Sequence, residues 1–109
     1  MEINSLLPII FVLIGLFFVI LSIPLILEKI PPNGLYGFRT EKTRSDPKIW
    51  YKANKDLGNK LVFVGIITII CNVILFLISG SLDIASITII GLITIVLPLL
   101  IVLGMTINY

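Results

Sequence analysis

"LLPIIFVLIGLFFVILSIPLIL", Leu6 to Leu27, is a stretch of 22 residues without one Asp, Glu, Lys or Arg. As a helix it would be about 33 Å long, close to the thickness of a bilayer's hydrocarbon core. Leu61–Ile78 and Ile84–Ile107 have the same character. One charge at the centre of a spanning helix costs about 2.5–3.5 kcal/mol on insertion scales, so three charge-free windows predict three spans. The composition agrees. Only 13% of residues are charged, against about a quarter in soluble domains, and 58% are hydrophobic. Mean hydropathy is +1.17. The expected fold is an all-α integral membrane protein forming one domain over 1–109, with spans at about 6–27, 61–78 and 84–107.

The first window is too long for the apolar core of a secretory signal. Its only preceding charge is Glu2, and "PLILEKIPP" offers no small-residue cleavage site. The segment is expected to remain in the membrane.

Segment 28–60, between the first two windows, holds all eight basic residues and four acidic ones, a net charge of +4. Loops rich in Lys and Arg stay on the cytoplasmic side. This predicts an external N-terminus, a cytoplasmic 28–60 loop, an external "SGSLD" turn (Ser79–Asp83) and a cytoplasmic C-terminus. Membrane lipids with anionic headgroups are the partners this charge suits, at about 1 kcal/mol per basic residue near the surface. No direct contact with nucleic acid is expected.

Several chemistries are excluded. The chain has no His, which removes His-based catalysis and the common zinc sites. There is no phosphate-binding Gly-rich loop. The single Cys71 lies mid-span and reads as a small hydrophobe. No cofactor and no metal are expected.

Within the loop, Pro31-Pro32 stops the first helix near Leu27. Pro8 sits near that helix's start, and Pro24 in its last turns is expected to kink or loosen them. Asn33-Gly34 favours a tight turn, followed by the extended "LYGFRT". "SDPK" opens a new helix, with Ser45 or Asp46 as cap and Pro47 in the first turn. Trp50, Ala53, Leu57 and Leu61 share a side, while Lys48, Lys52 and Lys55 occupy others. The spacing predicts an amphipathic interfacial helix, with Trp50 at headgroup level, leading into the second span. A continuous helix over 47–78 would be about 48 Å long, so an elbow is predicted at Gly58–Asn59.

Small and polar residues mark packing faces: Gly65, Thr68 or Ile69, Asn72 and Ser79 on the second span, Gly15 and Ser22 on the first, Gly91 with Thr94 or Pro98 on the third. Small residues allow close approach, and an intramembrane amide such as Asn72 bonds across to another helix. Such faces also suit a homo-oligomer, a dimer being the simplest.

The loop carries "PNGLYGFRT", then "TRS", then Trp50 with "AN" and a following Gly. In this ordered set (Pro32, Asn33, Tyr36, Gly37, Arg39, Thr40, Thr43, Ser45, Trp50, Asn54 and Gly58) the chain resembles the SdpI-type immunity-protein family of small bacterial membrane proteins. The resemblance covers about 30 residues by motif and the adjoining spans by hydrophobicity. It implies a protein that protects a producing cell against its own secreted killing peptide, a membrane-active antimicrobial toxin. Some members also signal by holding a transcriptional repressor at the membrane. Larger relatives carry a further membrane domain before this module, and this chain resembles the minimal three-span version.

Among the motif residues, Arg39 has a fork of donors suited to a carboxylate or phosphate, with Lys42 and Arg44 beside it. The alternative is an internal tie from Arg39 to Asp46 or Glu28, or to carbonyls ending the first helix. Tyr36 and Trp50 read as interface anchors. Asn33, Gly34 and Gly37 shape backbone, and Asn54, one turn after Trp50, is placed to bond the loop onto the helix. The expected function is non-catalytic immunity, with a signalling role at the cytoplasmic face. Alternatives are a small transporter or channel subunit, or an interfacial enzyme using Arg39, Glu41 and Asp46, for which no nucleophile–base arrangement is visible.

Overall fold

The computed structural model describes residues 2–33, 37, 43 and 45–106. Three long helices follow one another: α1 (Ile3–Ile26), α2 (Pro47–Ile78) and α3 (Ile84–Thr106), with a single 3-10 turn, Ser79–Ser81, joining the last two. All three are long and apolar enough to cross a membrane. Their outward sides are apolar too: Leu77 is 74% and Phe63 67% exposed, as suits a surface whose solvent is lipid. The chain is a multi-pass, all-helical membrane protein.

The termini of the helices follow from local chemistry. Asp46 caps α2 by accepting the Lys48 N–H at 2.9 Å, and Pro47 occupies the first turn, where its missing N–H is not needed. Asp83 caps α3 in the same way, its Oδ1 accepting the Ser86 N–H at 3.3 Å. α1 ends ahead of Pro31 in a Schellman turn. The Lys29 N–H bonds the Pro24 carbonyl at 2.9 Å, and Glu28 takes the left-handed position at φ 57°, where Gly is the usual choice.

α1 and α2 are antiparallel and pack along nearly their whole length. At one end the Ser5 and Ser79 hydroxyls lie 3.3 Å apart. Midway, Gly15 meets Gly65 so closely that a methyl group on Gly65 would lie 2.7 Å from the Gly15 carbonyl oxygen. At the other end, a methyl on Gly58 would lie 2.8 Å from Ile26 Cγ1 and 3.0 Å from the Ser22 carbonyl oxygen. α3 lies antiparallel to α2 and less intimately against the pair. It is seated by Ile87, Ile95 and Val102 and by the Phe11 ring over Gly91. Asn4 ties the start of α1 to the Leu82 carbonyl at 3.0 Å.

Two expectations need correction. The predicted elbow at Gly58–Asn59 is absent, because α2 runs unbroken for 32 residues and the molecule's longest dimension is 51 Å. Gly58 is instead a contact point between helices. The amphipathic turns are accordingly the first part of α2 itself and continue its axis. Their apolar side did not need the membrane plane, because the end of α1, Ile30 and Gly37 lie against that side.

Candidate functional site

The motif residues gather where the chain leaves α1 and enters α2. Trp50 is 0% exposed, and its indole Nε1–H donates to the Ile30 carbonyl at 2.8 Å. The headgroup-level role predicted for Trp50 is therefore corrected. An indole buries a large apolar body and has one donor to satisfy, and the carbonyl beyond α1 takes it. The contact fastens residue 30 to the first turn of α2.

Gly37 lies over the next turn. Its φ of +105° is open to Gly and strained for other residues, and a methyl there would lie 2.5 Å from Asn54 Oδ1 and 3.4 Å from Trp50 Cζ2. Asn54 is 1% exposed and donates from Nδ2 to the Trp50 carbonyl at 3.0 Å. Ile30, Gly37, Trp50 and Asn54 thus form one clasp. Asn33 turns its own backbone, donating to the Pro31 carbonyl at 2.8 Å. Thr43 is fully buried, whereas Ser45 is exposed ahead of the α2 cap. Tyr36, Arg39 and Thr40 lie outside the described residues, as do Gly34, Glu41, Lys42 and Arg44, so the expected turn at 33–34 and the Arg39 pairing do as well.

Beside the clasp, Lys48, Lys52 and Lys55 stand on the exposed side of α2 and, with Glu28, Tyr51 and Asn59, border an open cleft of about 560 Å³. Asp56 pairs with Lys60 at 2.9 Å one turn on.

A second cluster sits within the spans. Gly65, Thr68 and Asn72 are buried on α2. Asn72 Nδ2 donates to the Thr94 hydroxyl at 2.9 Å and to the Thr68 carbonyl at 2.8 Å. Pro98 has no N–H to offer the Thr94 carbonyl four residues back, and the Thr68 hydroxyl donates to that carbonyl at 3.4 Å. Asn72 Oδ1 is buried with no hydrogen-bond partner among the described residues. Sequence reasoning pointed to an amide bonding across helices but missed the carbonyl freed by the proline. The signal was present in the i, i+4 spacing of Thr94 and Pro98. The Ile30 carbonyl was missed for a different reason, since a backbone acceptor leaves no mark on side-chain identity.

Among the described residues, no three His, Cys, Asp or Glu side chains converge on a possible metal position. The arrangement comprises a clasp, a lysine-bearing side and an intramembrane polar node.

The SdpI/YfhL protein-family model matches residues 29–108, from just after the end of α1 through the clasp, α2 and α3. The chain belongs to the SdpI/YfhL protein family. No protein of curated description and no solved structure matches it. The family's match begins at the Schellman turn, so the clasp lies inside the matched region.

Proposed function

We propose that this protein is an immunity-type membrane protein, protecting a bacterial cell against a secreted, membrane-active killing peptide without catalysing a reaction. The observation that carries the proposal is the family match over residues 29–108, which takes in the clasp together with α2 and α3. The charge distribution supports a cytoplasmic clasp and a first helix that starts outside, since all eight basic residues lie in 28–60. On the external side α2 and α3 then offer only the Ser79–Asp83 turn. Recognition of the peptide therefore falls to the lipid-facing sides of the helices, and the clasp at the far end would report occupancy. The exposed Lys48, Lys52 and Lys55 beside it form the face where a cytoplasmic repressor would be held.

The test is survival of a sensitive cell expressing the protein when challenged with a membrane-depolarising killing peptide, with membrane levels checked. Wild type should protect. Arg39→Ala, inserted at normal levels, should lose protection if the loop takes part, and retained protection would place recognition wholly in the spans. Absence of protection by well-inserted wild type would overturn the proposal. The orientation is checked separately, by labelling a cysteine placed at Asp83 with a membrane-impermeant reagent from outside intact cells.

A further inference from the structure

Below the Asp56–Lys60 pair, the middle of α2 and the second half of α3 do not close on each other. α3 is held to α2 at Thr94, and beyond it comes Pro98, which cannot continue the hydrogen-bond ladder to that residue. The gap is a groove of about 420 Å³. Its walls are apolar, with Phe63, Ile67, Leu97, Ile101 and Met105 among them, and among the described residues lining it the charged one is Lys60, at its rim.

Depth decides what fits. The apolar part of α2 starts at Leu61, so Lys60 stands at the edge of the hydrocarbon core. From Lys60 to Ile67 is about 10 Å along the helix, and from Leu97 to Met105 about 12 Å. Both are shorter than one leaflet, roughly half of a 30 Å core. A spanning helix from a peptide or a second copy needs the whole thickness and would find a matching surface over less than half of it. A phospholipid of the adjacent leaflet has the required shape: an acyl chain for the groove and a phosphate level with the rim. The cation there selects an anionic headgroup. Lys60 is engaged with Asp56 in a half-buried i, i+4 pair; such pairs on a helix surface are worth about 0.3–0.5 kcal/mol, so the ammonium can turn to a phosphate at modest cost.

We propose that the α2–α3 groove with Lys60 at its rim is a binding site for one anionic phospholipid of the leaflet on the lysine-rich side. The site does not depend on the immunity reading. The experiment extracts the full chain into mild detergent and offers equal phosphatidylglycerol and phosphatidylcholine of identical acyl chains, counting retained lipid by native mass spectrometry. Wild type should retain one phosphatidylglycerol in preference. Lys60→Gln should lower that preference about fivefold, the effect of one basic residue near an anionic headgroup. Ile101→Trp, which fills the groove from its wall, should reduce retention of both lipids with Lys60 intact, whereas Leu77→Ala, on the lipid-facing side at the far end of α2, should change neither. Equal retention of the two headgroups by wild type would overturn the proposal. So would a preference that survives Lys60→Gln, or a disulfide-linked dimer formed through Ile101→Cys at the groove in place of bound lipid.

Discussion

Trp50 is the chain's only Trp, so its fluorescence reads the clasp directly. Because it is fully buried, its emission should resist quenching by iodide in water and equally by brominated acyl chains in the bilayer. An indole anchored at the headgroups would be quenched by the lipid. Trp50→Phe keeps most of the apolar body and loses the bond to the Ile30 carbonyl, for an expected cost of about 1 kcal/mol in detergent unfolding. Trp50→Ala should cost about 3–5 kcal/mol. The sequence places Trp50 and Ala53 on one apolar side, yet an indole covered by protein and one covered by headgroups have the same spacing. What separates them is the carbonyl of Ile30, and backbone acceptors are invisible in a sequence. Asp83 gives a second prediction at this scale. Its carboxylate accepts hydrogen bonds from the Ser86 side chain and N–H, which hold it below its ordinary value of 3.8. The cap's contribution is therefore present above that value and lost as pH falls through the lower folded one. An NMR titration should show Asp83 ionising below 3.8, and Ser86→Ala should move it back up.

The three helices were legible because a window free of charge has few alternatives once it is long enough to span. Gly15, Gly65 and Gly91 also fall at the contacts, and this has measurable consequences. Gly65→Leu would drive a side chain into the Gly15 backbone, so it should destabilise by about 1–3 kcal/mol or more and separate α1 from α2. Gly104, with open space around its missing Cβ, should behave oppositely, and Gly104→Ala should raise stability by up to about 1 kcal/mol through helix propensity. Thermal unfolding of the two variants in one detergent checks both signs. The α2–α3 contact makes a subtler prediction. Thr68→Val strips the donor from a carbonyl that Pro98 has already freed, but in a Pro98→Ala background the backbone N–H gained at position 98 serves that carbonyl instead. The two changes should be non-additive by about 0.6–1.7 kcal/mol, the measured range for polar contacts within membranes. The expected elbow is absent for a plain reason. Length against bilayer thickness says that a helix protrudes, but not whether it lies down or stands up. That depends on whether another element waits to cover its apolar side, and here the end of α1 does.

For the whole molecule, the unbroken α2 has a mechanical meaning. Its first 14 residues, 47–60, extend about 21 Å beyond Leu61 along the axis of the span. A rod with no hinge converts rotation into displacement, so a tilt of about 10° within the bilayer would carry the far end sideways by about 4 Å. A spin-label pair at Lys52 and Ile78 should accordingly report one narrow distance near 39 Å, where a hinge at Gly58 would spread it. The Trp50–Ile30 bond shackles the tip of this arm to the end of α1, so the two helices can lean only as a frame. Pressure applied to either helix from within the lipid would then reach the lysine-bearing end as a shift in position, delivered without any bond being made or broken.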